Sequence, residues 1–122
     1  MIRVLLVEDH RVFGDSFALL LDREPDLKVV ARTHSAAECQ RYLSSGEGFD
    51  VALVDLHLPD GEGTSLIEEM RKACPDVRVV VLTISIDPEE HARAREAGAE
   101  EVLSKSDDLL DILAAIRRFA RG

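Results

Sequence analysis

Three short apolar runs each hand over to groups able to do chemistry. Val4-Leu5-Leu6-Val7 ends in Glu8-Asp9, Val51-Ala52-Leu53-Val54 in Asp55, and Val79-Val80-Val81-Leu82 in Thr83. A fourth run, Glu101-Val102-Leu103-Ser104, is followed by Lys105. Side chains leaving the carboxyl ends of strands point into the crevice where open α/β sheets hold their ligands. Carboxylates crowded there repel one another and call for a counter-charge. Mg²⁺ suits the task, because it takes one or two carboxylates, keeps waters and leaves positions for phosphate oxygens. Phosphoryl transfer asks for an in-line nucleophile and for positive charge on the phosphoryl oxygens. Asp55 has the chemistry of that nucleophile and would become an aspartyl phosphate. Lys105 and the metal would neutralise the oxygens, and the Thr83 hydroxyl would hydrogen-bond one of them.

Taken singly, each group also has a plainer account. Asp55 suits a turn, Glu8-Asp9 a helix cap, Thr83 a β-branched strand position and Lys105 a solvated charge. Jointly, the plain account must gather five complementary groups at one sheet edge by chance. The phosphoryl-acceptor reading is therefore preferred.

The elements that must position these groups alternate strictly. Strands are expected at Arg3–Val7, Leu27–Ala31, Val51–Asp55, Val77–Thr83 and Glu101–Ser104, and helices at Arg11–Arg23, Ala36–Ser44, Thr64–Lys72, Pro88–Ala97 and Asp107–Ala120. Such βα alternation predicts a parallel sheet covered by helices on both faces, as one domain over residues 1–122. Right-handed crossovers bring every strand's carboxyl end to one edge. The first, third and fourth strands are apolar throughout, as strands buried on both faces should be. Punctuation agrees: Ser35-Ala36-Ala37-Glu38 has capping-box spacing, Asp87-Pro88 opens the fourth helix, and Gly98 closes it.

The chain has 122 residues with 24 acids and 15 bases, a net charge of −9, which disfavours nucleic acid and anionic membranes as partners. Arg117, Arg118 and Arg121 read as a solvated last helical turn. Cys39 and Cys74 lack metal-ligand spacing and read as reduced thiols. No run approaches the ~20 apolar residues of a membrane span, and the start does not resemble a signal peptide, so a cytoplasmic protein is expected. His10, His34 and His91 are expected in exposed positions. The last helix carries Leu109, Leu110, Ile112, Leu113, Ile116 and Phe119; most are expected in the core, but they occupy more than one face, which points to a dimer or partner surface.

The chain resembles the receiver domain of two-component response regulators. The resemblance rests on Glu8-Asp9, on Asp55 followed by Leu58-Pro59 and Gly63, and on Thr83 and Lys105, in an order that covers Arg3 to Phe119. Val7-Glu8-Asp9-His10-Arg11-Val12-Phe13 and the run from Cys74 to Thr83 are similar to the NarL/FixJ subgroup. The resemblance implies a flavodoxin-like (βα)5 doubly wound fold, with a five-stranded parallel sheet of order 2-1-3-4-5. It implies that Asp55 is phosphorylated from a sensor histidine kinase in a Mg²⁺-dependent reaction. Asp9, Asp55 and the His57 backbone carbonyl would then be metal ligands, with Glu8 acting through water. Lys105 would contact the phosphoryl group, and Thr83 with the Ile84 amide would sense it.

Such a domain is a signalling element whose only catalysis is its own phosphorylation and dephosphorylation. Its output would be transcription where a DNA-binding domain follows, with no direct nucleic-acid contact by this domain and room for a homodimer through the first or last helix. Three positions depart from the family pattern. Val102 stands where receivers often carry an aromatic, Ser106 where many have Pro after the lysine, and Ile84 where a small residue is common.

Three unrelated readings fail on particular residues. A cobalamin-binding Asp-x-His-x-x-Gly loop would need Gly where Asp60 stands. An aspartyl-phosphate hydrolase would need a second acid at His57. A flavin site would need a Gly- and hydroxyl-rich loop after the first strand. A receiver degenerated to a binding module stays open, through Val102 and Ser106.

Overall fold

The fold follows from how alternate residues of three apolar strands divide between two helical layers. The computed structural model describes residues 1–121. In chain order the elements are β1 (Ile2–Val7), α1 (Arg11–Asp22), β2 (Leu27–Thr33), α2 (Ala36–Ser44), β3 (Val51–Val54), β4 (His57–Leu58), β5 (Gly61–Glu62), α3 (Gly63–Ala73), β6 (Arg78–Thr83), α4 (Pro88–Ala97), β7 (Glu101–Ser104) and α5 (Leu109–Ala120). The main sheet has the order β2-β1-β3-β6-β7 and every pairing is parallel. Setting aside the short β4–β5 hairpin, this is the expected 2-1-3-4-5 order.

Side chains alternate across the sheet with a period of two. Leu5, Val7, Ala52, Val54, Val79 and Val81 pack with Cys39 of α2, Leu66, Ile67 and Met70 of α3, and Ala94 of α4. Their neighbours Val4, Leu6, Val51, Leu53, Val80 and Leu82 pack with Phe17 and Leu21 of α1 and with Ile112, Leu113 and Ile116 of α5. Burying each of the Val, Leu, Ile, Phe and Met side chains among them contributes roughly 1.5–3 kcal/mol. A slip of one residue in any central strand would exchange the two sets, so the strand register is tightly specified. The residues that end those strands are specified with it.

Several boundaries move for identifiable reasons. β2 continues to Thr33 because its pairing with β1 resumes after an irregularity, Val4 facing Val29 and Leu5 facing Ala31. α5 starts at Leu109 rather than Asp107, because Asp107 Oδ2 accepts from the Ser104 amide and Asp108 is the N-cap residue. β4 and β5 form a hairpin around Pro59-Asp60 that reads in the sequence only as a loop. The caps behave as expected: Ser35 Oγ accepts from the Glu38 amide at 3.1 Å and Asp87 Oδ1 from the Glu89 amide at 3.0 Å. Glu38 reaches back to the His34 amide, one residue before the position a capping box would use. Gly98 has φ 125°, as a helix-ending glycine can.

Two expectations need correction. Arg117 is not a solvated charge: it binds Asp26 at 2.8 and 2.9 Å and Glu24 at 2.7 Å, tying α5 to the turn before β2. His34 and His91 are half-buried, His34 Nδ1 lying 3.0 Å from the Glu8 carbonyl oxygen and His91 Nε2 2.7 Å from that of Ser85. On α5 most of the apolar residues are core as expected, Leu109 and Phe119 packing against it, while Leu110 is largely exposed. Both cysteines are free. Among the described residues, no helix is long and apolar enough to cross a membrane.

Gly63, at the start of α3, sits directly behind Asp55, the residue that follows β3. A Cβ there would press into the Asp55 carbonyl oxygen and lie 2.8 Å from Leu56 Cα. Both are backbone atoms that no side-chain rotation can move aside. Gly63→Ala should therefore cost about 1–3 kcal/mol, read as a lower urea midpoint with an unchanged slope.

Candidate functional site

The strand ends converge as the parallel topology requires. β1 hands over to Glu8 and Asp9, β3 to Asp55, β6 ends on Thr83, and Lys105 follows β7. Asp55 stays attached to the sheet one residue beyond β3, its amide donating to the Val7 carbonyl at 3.0 Å. Lys105 is held likewise, its amide donating to the Thr83 carbonyl at 3.0 Å. The groups named by the chemistry thus hang from backbone that the neighbouring strand fixes.

Lys105 is the centre of the cluster. Its Nζ lies 2.7 Å from Glu8 Oε1 and 3.1 Å from Asp55 Oδ2. All three side chains are largely shielded, with relative exposures of 11% for Lys105, 3% for Glu8 and 7% for Asp55. Asp9 is exposed, yet one carboxylate oxygen from each of Glu8, Asp9 and Asp55 falls within 4.8 Å of the others. The second oxygens are used locally: Glu8 Oε2 accepts from the His10 amide at 2.9 Å, and Asp55 Oδ1 from the His57 amide at 3.2 Å.

Burial pushes the Glu8 carboxyl above the usual range for glutamate, against the lowering effect of Lys105 and the His10 amide. For Lys105, burial works to lower the ammonium, but bonds and charge from Glu8 and Asp55 outweigh it and hold it above its usual value. Three carboxylates against one ammonium leave a deficit of positive charge in a poorly hydrated place. A hard divalent cation with oxygen ligands fits that deficit.

Thr83 is fully buried, and its Oγ1 accepts from the Ser85 amide at 3.1 Å. An open cavity of about 600 Å³ lies against Asp55, lined by Asp9, His10, Val12, Phe13, His57, Ile84 and Lys105. Ile84 therefore lines the approach to Asp55, where Thr83 does not. The His57 imidazole faces outward and meets α4, Nε2 lying 2.9 Å from Glu90 Oε1. The Lys105–Ser106 bond is trans, as no cis peptide occurs among the described residues. Val102 packs against the α2–α4 side of the core.

Sequence reading overlooked three participants. Phe13 belongs to the helical apolar pattern of α1, yet the Lys105 ammonium lies 4.9 Å from its ring centroid. Asp60 accepts from the Ala36 and Ala37 amides at 2.7 and 2.9 Å, so the hairpin that follows Asp55 caps the start of α2. Those two amides hold the Asp60 carboxyl below the usual range. Pro59-Asp60-Gly61 was legible as a turn, but nothing in it names the helix it reaches. Glu90, the partner of His57, is one of several acids in the first turn of α4 and has no distinguishing signal.

The family model of the response regulator receiver domain matches residues 4–117. The transcriptional regulatory protein UhpA of Salmonella typhimurium is 35% identical over 122 residues, which is all of this chain and 60% of that protein. The chain thus spans about three-fifths of that relative's length. A two-component response regulator of the LuxR family from Aurantimonas superposes with a TM-score of 0.90 at 29% identity, over 98% of this chain and 85% of that one. A response regulator from Burkholderia pseudomallei, solved with a phosphorylated aspartic acid, a calcium ion and citrate, gives 0.87 at 30% identity, over 99% and 69%. The family model spans most of the chain and the superpositions nearly all of it, and the chain belongs to the response regulator receiver domain family.

Proposed function

We propose that Asp55 is the acceptor of a phosphoryl group delivered by the phosphohistidine of a sensor histidine kinase. One observation carries this reading: Lys105 Nζ bridges Glu8 and Asp55 beside a third carboxylate, at the open carboxyl edge of the sheet. An Asp55 carboxylate oxygen attacks phosphorus in line, the phosphorus–nitrogen bond breaks, and the imidazole leaves with the bonding pair. Lys105 turns its charge onto a phosphoryl oxygen as Asp55 gives up its negative charge to the new acyl-phosphate bond. Glu8, Asp9, Asp55 and the His57 carbonyl would hold Mg²⁺, Glu8 through water, and the ion would supply the remaining positive charge on the phosphoryl oxygens. Water attack on the same phosphorus reverses the state, so the domain also limits its own signal.

The occupied site would draw the Thr83 hydroxyl away from the Ser85 amide and toward the phosphoryl group, with the Ile84 amide beside it. That movement would re-aim the segment between β6 and α4 and so alter what α4 and its surroundings present. Control of transcription fits the 60% coverage of a transcriptional regulator, with DNA contact made by another domain and not by this acidic one. Homodimerisation through α1 or α5 is the corresponding assembly. The Burkholderia protein, with its phosphorylated aspartic acid and calcium ion, supports an aspartyl phosphate beside a divalent cation here as well.

Incubation with a small phosphoryl donor and Mg²⁺ should add one phosphoryl group by intact mass, and Asp55→Asn should abolish the addition. No uptake from any donor or kinase would favour a receiver degenerated to a binding module. Ile84, 76% exposed at the cavity mouth, should slow water's approach. Ile84→Ala should therefore shorten the phosphoryl lifetime severalfold, followed as decay of the heavier mass; an unchanged lifetime would remove that role.

Lys105→Ala should leave the two buried carboxylates facing each other and cost on the order of 1–3 kcal/mol at neutral pH. Its pH dependence follows from Glu8. A carboxyl raised in the folded state is protonated more readily there than in the unfolded chain. Stability through Glu8 is therefore complete below the ordinary glutamate range and lost as pH rises through the raised value. Urea unfolding of Lys105→Ala should accordingly recover on acidification toward that range, and at neutral pH on adding Mg²⁺.

A further inference from the structure

Resting on the reading of Asp55 as acceptor, we infer that Phe13 is a positioning residue for Lys105: its ring face holds the ammonium at the acceptor when the carboxylates are otherwise engaged. Lys105 Nζ has three neighbours in the site, two of them anionic. Glu8 and Asp55 are salt-bridge partners at 2.7 and 3.1 Å, and the Phe13 ring centroid is 4.9 Å away. Both carboxylates are also the groups a divalent cation would claim, and Asp55 is the group a phosphoryl would neutralise. The arrangement that holds Lys105 in the resting site is thus weakened by the events the site exists to support. The aromatic face alone stays unchanged, since it neither binds a hard cation with oxygen preference nor reacts. It attracts the ammonium through its quadrupole, more strongly where water is excluded.

The ring is itself braced. Phe13 stacks on Phe17 one helical turn along α1, with centroids 5.5 Å apart and planes 11° from parallel. Phe17 is 4% exposed and belongs to the core that α1 and α5 share beneath the sheet. Phe13 cannot swing away without undoing that stack, so the face beneath Lys105 is supported by the core and not by a mobile loop. Phe13 also lines the cavity against Asp55, where Lys105 must act.

The test uses Phe13→Leu, which keeps an apolar side chain but removes the ring face, beside Phe13→Tyr and Phe13→Trp, which keep one. Phosphorylation by phosphoramidate and Mg²⁺, followed by intact mass, should slow about fivefold in Phe13→Leu and stay within about twofold of the parent in the aromatic variants. In parallel, the Lys105 ε-methylene protons should show an upfield ring-current shift by NMR in the parent and the aromatic variants, and lose it in Phe13→Leu. A merely structural Phe13 would leave Leu and Tyr alike in rate once their melting temperatures match, and that outcome overturns the inference. An absent ring-current shift in the parent overturns the contact while leaving Asp55 as acceptor untouched. Failure of the parent to take up phosphoryl overturns the acceptor reading, and this inference with it.

Discussion

The ammonium of Lys105 is what allows the acidic edge to exist. Glu8 and Asp55 are almost wholly removed from solvent, and like charges there would drive the strand ends apart or force one carboxyl to keep its proton. Burial first, with a smaller push from the Asp55 charge, raises the Glu8 carboxyl above its usual range. Lys105 relieves the repulsion by bonding to both acids at once, yet leaves the cluster short of positive charge. That remaining deficit is one a hard divalent cation with oxygen ligands could fill. A fully neutralised cluster would be more comfortable and less useful.

Such a balance demands accurate placement, which the sheet supplies. Each functional group lies at, or within two residues of, the end of a strand whose neighbours are packed from both sides. The backbone ladder continues past β3 into the Asp55 amide and past β7 into the Lys105 amide. Behind Asp55, Gly63 lets α3 approach that residue's carbonyl group more closely than any side chain would permit. Asp55 is therefore wedged between the ladder on one side and a helix start on the other.

The same region is connected outward. Asp60, five residues beyond Asp55, caps α2; His57 meets Glu90 on α4; and Thr83, under the site, is bonded to the segment leading into α4. A change of charge at Asp55 thus has short physical routes to the ends of two helices. Val102 places no aromatic ring on β7, and the ring nearest the lysine comes from α1 instead.

Most of the fold and the chemistry of the site were legible in the chain itself, because both depend on local pattern. Strands apolar on both faces, alternating with amphipathic segments, admit few arrangements, and the parallel crossover rule then sends Glu8, Asp9, Asp55, Thr83 and Lys105 to one edge. The caps at Ser35 and Asp87 were equally readable, since a cap bonds within a turn of itself. What stayed hidden were the contacts between segments far apart in sequence: Arg117 with Asp26, Asp60 with α2, His57 with Glu90, Lys105 with Phe13. Each joins residues whose types are common on any surface or helix face, and no spacing rule links them. Sequence alone determined which groups meet at the sheet edge; only the tertiary structure decided what holds them there, because partner choice across the fold is made by packing, which periodicity does not encode.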